Sequence, residues 1–226
     1  MNEQQLQEHL RNMSETWPLP PSHVSYLNKL KNEFNIYPKV IYDIGACVLH
    51  WSKEAQKIWP ESKIYAFEAM DSVEFLYKEK EMDYYIGVFS DENDKEITFY
   101  QSDISPGGNS YYKEKSWATD IYYNKKSERI VKTITIDTAV NNKNFQYPDL
   151  IKIDTQGCEI DILKGMTNIL NHCEHLIVEL QHDEYNEGAM LSKDSIPIIE
   201  SMGFELVTPL FCNNGPDGDY HFKKIK

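Results

Sequence analysis

Val40-Ile-Tyr-Asp-Ile-Gly-Ala46 is a short apolar run that ends in an acid and a glycine. A buried parallel strand that delivers its C-terminal end into a loop has this form. Lys63-Ile-Tyr-Ala-Phe-Glu68 repeats the pattern, and Leu150-Ile-Lys-Ile-Asp154 repeats it again. Between the first two runs the spacing predicts a helix from about Ser52 to Ile58, closed by Pro60. After the second, Asp71-Ser-Val-Glu74 has capping-box spacing ahead of Val73, Leu76 and Tyr77. Strand, helix, strand, helix in close succession predicts a parallel sheet covered by helices on both faces.

Working outward, Tyr84 to Phe89 and Glu96 to Tyr100 read as strands around the turn Ser90-Asp-Glu-Asn-Asp94, and Ile130 to Ile136 alternates as a half-buried strand does. Ile160, Leu163, Met166 and Leu170 share one helical face; Leu176 to Leu180 is a further strand. Ser192 to Met202 reads as a helix stopped by Gly203, followed by closing strands at Phe204 to Val207 and Tyr220 to Ile225. Residues 102 to 128 hold no sustained period and are expected to form a long loop region. Upstream, Met1 to Ser14 is polar and Pro18, Pro20 and Pro21 forbid a continuous helix, so an arm is expected there. A helix capped by Ser22 follows, with His23, Leu27, Leu30 and Phe34 on one face. The chain thus divides into an N-terminal arm and helix, residues 1 to 37, and a sheet domain, residues 38 to 226.

The 226 residues are 41% hydrophobic, enough for one ordinary α/β domain and too many to need a disulfide scaffold. No stretch approaches the roughly 18 apolar residues of a membrane span, and the first ten residues lack the basic and apolar regions of a signal peptide. A cytoplasmic protein without a membrane partner is expected. Lys and Arg number 23 against 36 Asp and Glu, a net charge of −13 that opposes a nucleic-acid partner. Cys47, Cys158, Cys173 and Cys212 have no zinc-site spacing, so reduced thiols and no structural metal are expected.

Ligands of open α/β sheets bind outside the C-terminal strand ends, which directs attention to the loops after Asp43, Glu68, Phe89, Asp154 and Leu180. Gly45 permits a tight turn, and Glu68 lies 23 residues beyond it at the second strand end. A carboxylate there can accept both hydroxyl protons of an adenosine ribose, a contact worth roughly 1.5 to 3 kcal/mol. A dinucleotide pyrophosphate calls for G-x-G-x-x-G, whereas Gly45 is followed by Ala46, Cys47, Val48, Leu49 and His50. S-adenosylmethionine, with no phosphates to cradle, is the better match. An ordinary strand-end turn is the alternative.

These segments, and above all Ile151-Lys-Ile-Asp-Thr-Gln-Gly-Cys-Glu-Ile-Asp-Ile-Leu-Lys-Gly165, resemble the FkbM-type methyltransferase family. Phe89-Ser-Asp91, Gly108-Asn-Ser-Tyr111, Thr135-Ile-Asp137 and Asp219-Tyr-His-Phe222 extend the resemblance over all but the first 35 or so residues. It implies a Rossmann-like class I methyltransferase fold, with a seven-stranded, mostly parallel sheet, helices on both faces and an inserted loop and strand region. It also implies S-adenosylmethionine as donor and a hydroxyl of a sugar, glycan or small polyol as acceptor. Carried over by position, Asp43, Gly45 and Ala46 face the methionine end, Glu68 and Ala69 the ribose, Ser90 and Asp91 the adenine, and Asp154 the transferable methyl. The family commonly has a second glycine where this chain has Leu49. Leucine is expected to avoid a glycine's positive φ, shifting the loop or widening the methionine pocket.

An alcohol attacking a methyl group benefits from a positioned base, worth about 10²- to 10⁴-fold. Asp154 is the first candidate, followed by His182 and His50, each of which also reads as a plain hydrogen-bonded histidine. A second arrangement has Mg²⁺ held by Asp154 with Glu179 or His182. Glu179 reads equally as a buried, hydrogen-bonded acid, and Glu159 as a partner of the helix N-terminus that follows. Tyr111, Tyr112, Trp117, Tyr122 and Tyr123 make the segment from Ser102 to Asn124 the candidate acceptor lid. Three other functions fit the same residues less well: a nicotinamide-dependent sugar-modifying enzyme, a binding module that has lost catalysis, and a ribose methyltransferase acting on RNA.

Overall fold

A computed structural model describes residues 1–115, 119–123 and 125–225. The chain opens with α1 (Glu3–Thr16) and α2 (Pro21–Asn32), then alternates β1 (Val40–Ile44), α3 (His50–Ile58), β2 (Lys63–Glu68), α4 (Glu74–Glu79) and β3 (Asp83–Ile86). The inserted region follows: β4 (Val88–Phe89), β5 (Glu96–Tyr100), α5 (Thr119–Tyr122) and β6 (Glu128–Ile134). After α6 (Ile136–Lys143) come β7 (Leu150–Ile153), α7 (Glu159–Lys164), β8 (His175–Gln181), α8 (Ser192–Ser201), β9 (Phe204–Asn213) and β10 (Asp217–Lys224). Seven strands form the main sheet in the order β3-β2-β1-β7-β8-β10-β9, while β4, β6 and β5 make a small second sheet. β1, β2, β3, β7 and β8 are parallel, and β10 runs antiparallel between β8 and β9. The expected α/β sheet is therefore present. Among the described residues no helix is long and apolar enough to cross a membrane.

Each strand's alternation divides the core between two layers. Tyr42, Ile44, Ile151, Ile153 and Val178 face α6, α7 and α8, where Ala139, Leu163 and Ile199 meet them. Ile41, Leu150 and Ile177 face α2 and α3, meeting Leu27, Leu30, Trp51 and Ala55. Two residues further along the same strands, on the α2/α3 side of the pleat, stand Asp43, Lys152 and Glu179. The polar layer of the site is thus the continuation of one apolar face toward the C-terminal strand ends.

Several local expectations are corrected. The opening segment is not an arm: Asn2 and Gln5 form a reciprocal capping box, and Leu10 is fully buried against Leu76 and Tyr77, with Leu6 and Met13 beside it. One apolar stripe among polar residues suffices, because packing rather than composition holds a surface helix. Ser22 does not cap α2. Pro20 and Pro21 start that helix, and the Ser22 hydroxyl donates to Cys212 Sγ at 3.1 Å. His23, Leu27 and Leu30 are buried as expected, whereas Phe34 is exposed. Asp71 begins a 3₁₀ turn with no side-chain cap, its carboxylate accepting from Arg129 and Gln101. The strand expected to reach Ile136 stops at Ile134, since Thr135 accepts from the Thr138 amide and starts α6.

Candidate active site

A cavity of about 680 Å³ lies at the C-terminal ends of β1, β2, β7 and β8 and the N-terminal end of the antiparallel β10, within the usual range of roughly 300–1,000 Å³ for a small-molecule site. Gly45 forms its first edge with φ +79°, and a Cβ there would stand 1.8 Å from the Asp154 carbonyl oxygen. Only glycine lets the β1 and β7 loops approach so closely. Beyond it, Cys47 (φ 46°) and Leu49 (φ 64°) are also left-handed. Such non-glycine conformations cost of order 1–3 kcal/mol each and persist when the surroundings enforce them. Here the Leu49 amide donates to the Ala46 carbonyl at 2.7 Å, and its side chain is buried with Val48, Val73 and Leu76. Leu49 takes the positive φ it was expected to avoid. The loop keeps a glycine-like path because packing holds it there.

Glu68, at the end of β2, accepts the Cys47 amide on Oε2 (2.7 Å) and the Ala69 and Met70 amides on Oε1 (both 2.8 Å). Burial pushes its carboxyl up, and the three N–H groups oppose the rise. A carboxylate has about four acceptor positions, so Glu68 both braces the loop and retains capacity toward the cavity it lines.

Across Gly45 lies the charged layer. Asp43, fully buried, accepts from the Ser52 hydroxyl at 2.6 Å. Lys152, 2% exposed, holds its Nζ 3.6 Å from Asp43 Oδ1 and 3.2 Å from Asp154 Oδ2. Burial raises the Asp154 carboxyl, but the Lys152 charge and the surrounding hydrogen bonds outweigh it and hold Asp154 ionised. Gln156 donates through Nε2 to Asp154 Oδ1 (3.0 Å) and to Glu179 Oε2 (2.8 Å), while its carbonyl oxygen takes the Tyr185 hydroxyl. Burial and then the neighbouring Asp154, Asp217 and Asp219 drive the Glu179 carboxyl well up. On the same wall His23 from α2 meets Asp219 through Nδ1 at 3.0 Å. The Trp51 indole, which can only donate, reaches His23 Nε2 at 2.8 Å, so the His23 ring proton belongs on Nδ1.

The roof comes from segments outside the main sheet. Trp17, Pro18, Leu19 and Pro20, the linker between α1 and α2, line the cavity, and Trp17 stacks on His50 at 5.0 Å between centroids. Pro106, Gly107, Asn109, Tyr111 and Glu114 of the inserted region complete it. The aromatic lid takes a different form from the one expected. Tyr111 and Tyr112 both donate to Asp161 Oδ2 on α7, and Tyr123 is buried with its hydroxyl on the Ser105 carbonyl, leaving Tyr111 as the tyrosine of this group that lines the cavity. Trp117 lies outside the described residues.

A family model for the methyltransferase FkbM domain matches residues 43–206. The chain belongs to the FkbM methyltransferase family. Within this FkbM chain, a 50-residue stretch is 40% identical to hexuronic acid methyltransferase AglP of Haloferax volcanii, a match over 22% of this chain and about a fifth, 21%, of that relative. Human N-acetylserotonin methyltransferase, solved in complex with SAM, superposes with a TM-score of 0.54 at 11% identity, over 100% of this chain and 57% of the human one. The fold is that of the class I methyltransferases.

Of the candidate site residues, Gly45, Glu68, Ala69, His50 and Asp154 line the cavity. Asp43 and Ala46 are buried behind that lining. Others are not brought to it. His182 follows the end of β8 and turns its Nδ1 toward Ser192 and Tyr220, each at 3.3 Å. Ser90 is buried against Asp91 and Tyr111, and Asp91 faces Lys95; at this strand end Val88 and Phe89 line the cavity instead. Glu159 accepts the Thr155 and Gly157 amides and the Thr155 hydroxyl, organising the turn before α7, with burial raising its carboxyl to about 7. Asp154 and Glu179 come together on the Gln156 amide, whereas His182 turns away from them. Among the described residues the three donor atoms that come together, within 4.8 Å, are those of His23, Cys212 and Asp219. Lys152, Gln156, Tyr185, Asn214 and Asp217 were not anticipated as site residues. Only Lys152 carried a signal, a lone cation inside the apolar run Leu150-Ile-Lys-Ile.

Proposed function

We propose that the protein is an S-adenosylmethionine-dependent O-methyltransferase acting on a hydroxyl of a sugar, glycan or small polyol. The observation that carries this reading is the division of one cavity by the Gly45–Asp154 contact. On one side stands Glu68 with the Gly45–Leu49 loop that it braces through the Cys47 amide; on the other stand the polar side chains at the ends of β7, β8 and β10. The first half fits an adenosine with its ribose on Glu68, and the absence of further glycines after Gly45 favours a cofactor without a pyrophosphate. The sugar-acid substrate in the name of the Haloferax volcanii relative supports a carbohydrate acceptor. The carboxylate-rich lining opposes a nucleic-acid phosphate backbone.

S-adenosylmethionine, held there with its ribose on Glu68, would supply an electrophilic methyl group for the acceptor oxygen. Asp154, ionised beside Lys152, accepts a hydrogen bond from the acceptor hydroxyl and orients the oxygen. Its low basicity makes proton uptake late, once bond formation has made the hydroxyl acidic. Gln156 fixes the carboxylate by bonding Oδ1, and Trp17 with the proline linker excludes water overhead. Leu49 takes the conformation a glycine would take, which removes the observation that motivated a module without catalysis.

Isothermal titration with S-adenosylhomocysteine, with NADH in parallel, tests the reading. Micromolar binding of the first alone is expected. Binding of NADH instead would replace the methyltransferase reading with the nicotinamide one.

A further inference from the structure

The acceptor side of the cavity gathers four acidic side chains around one lysine. Asp217 and Asp219 lie two residues apart on β10, and Glu179 is directly opposite Asp219 on β8. All three line the cavity, together with Asp154. Lys152 is the lysine or arginine among the lining residues, and its ammonium is engaged by Asp43 and Asp154. Asp219 is taken by His23, and Glu179 by Gln156 and Asn214. Asp217 differs from them. It is 7% exposed, with Tyr185 and Asn214 against its carboxylate, yet its Oδ1 is buried without a hydrogen-bond partner. A buried carboxylate oxygen left unsatisfied is costly, and crowding beside other acids adds to that cost. A bound cation relieves both.

We propose that this wall is an ammonium subsite, so that the methyl acceptor is an aminated sugar or amino polyol whose charged nitrogen meets Asp217 Oδ1 while one hydroxyl faces Asp154. The inference rests on the methyltransferase reading above and narrows its acceptor. Held protonated among three acids, the nitrogen has no lone pair with which to attack, so the methyl goes to oxygen. A uronic acid in the same place would set a further carboxylate beside Asp217 and Asp219, and a neutral hexose would leave Asp217 without a counter-charge.

Binding to the full chain saturated with S-adenosylhomocysteine separates these cases, at about pH 6.5, below the roughly 7.7–8.0 of an ordinary α-amine. Glucosamine is expected to bind at least about tenfold more tightly than glucose, and glucuronate most weakly. Asp217→Asn is expected to bring glucosamine down to the level of glucose with S-adenosylhomocysteine affinity and melting temperature retained. Equal binding of glucosamine and glucose, no glucosamine binding, or tightest binding of glucuronate overturns the ammonium subsite. Failure of S-adenosylhomocysteine to bind in the first step overturns the methyltransferase reading itself, and the subsite with it.

Discussion

Replacing Lys152 by methionine keeps the length of the side chain and removes its charge. The buried Asp43 carboxylate and the partly exposed Asp154 carboxylate then face each other's surroundings without the cation 3.6 and 3.2 Å away. Breaking a buried ion pair from one side costs about 3–5 kcal/mol. Asp154 is 27% exposed at its side chain, so water recovers part of this and the lower end, about 3 kcal/mol, applies. For a chain of this size each kcal/mol moves the melting temperature by about 2–4 °C, giving a fall of about 6–12 °C at pH 7. The sign of the pH dependence follows from the same contact. Lys152 holds the folded-state Asp154 below its ordinary value, a stability present above the unfolded carboxylate range and lost only as pH falls through the depressed folded value. Without Lys152, burial raises Asp154 instead, and the variant gains relative stability as the pH is lowered from 7 toward 5. Urea unfolding followed by far-ultraviolet circular dichroism at the two pH values measures the gap. A gap below about 1 kcal/mol that is the same at both would refute the idea that Lys152 balances these acids.

Glu68→Ala is expected to weaken S-adenosylhomocysteine at least about tenfold in calorimetry, since loss of a charged hydrogen-bond partner costs roughly 1.5–3 kcal/mol; unchanged affinity would put the ribose elsewhere. Asp154→Asn should spare that affinity while lowering turnover by about 10²- to 10⁴-fold, read from single-turnover methyl transfer once an acceptor is in hand. Acid should also act through His221, whose Nε2 meets His175 at 3.1 Å and whose Nδ1 meets the Tyr26 hydroxyl at 2.9 Å. Burial, with His175 and Lys223 adding, lowers it to about 3, so its stabilising effect is complete above about 6.5 and is lost as the pH falls toward 3. His221→Gln should flatten the decline in urea midpoint between pH 7 and pH 4, and an unaltered slope would assign the decline to other groups.

The sequence made the strand ends legible because burial on both faces leaves an uninterrupted apolar run, and an acid ending such a run stands out. Asp43, Glu68 and Asp154 were found that way. Lys152 was harder, because its meaning depends on Asp43, which sits beside it only through the β1–β7 pairing. In the sequence His23 marks one face of a helix, and its partner Asp219 is 196 residues away. Gln156, Tyr185 and Asn214 belong to loops, which carry no periodicity, and Asp217 opens a strand whose apolar pattern begins only at Tyr220. Helix α1 was hidden by its polar composition, and α6 by a Thr135-Ile-Asp137 segment that continues the alternation of the preceding strand. Even at Leu49 the residue type pointed away from the conformation it takes, because neighbours rather than the residue itself impose it.

The wall that joins His23 to Asp219, Ser22 to Cys212 and Tyr26 to His221 has a consequence for synthesis. While the ribosome is still translating, β1, β2 and β7 have their neighbours available, but β8 must wait with an open edge until β10 emerges and inserts beside it. Contacts of such sequence separation form slowly, and unpaired strand edges invite association between nascent chains. The cavity therefore lacks Asp217 and Asp219 until β10 has inserted, and during that interval α2 lacks the partners that anchor the Trp17–Pro20 linker over it.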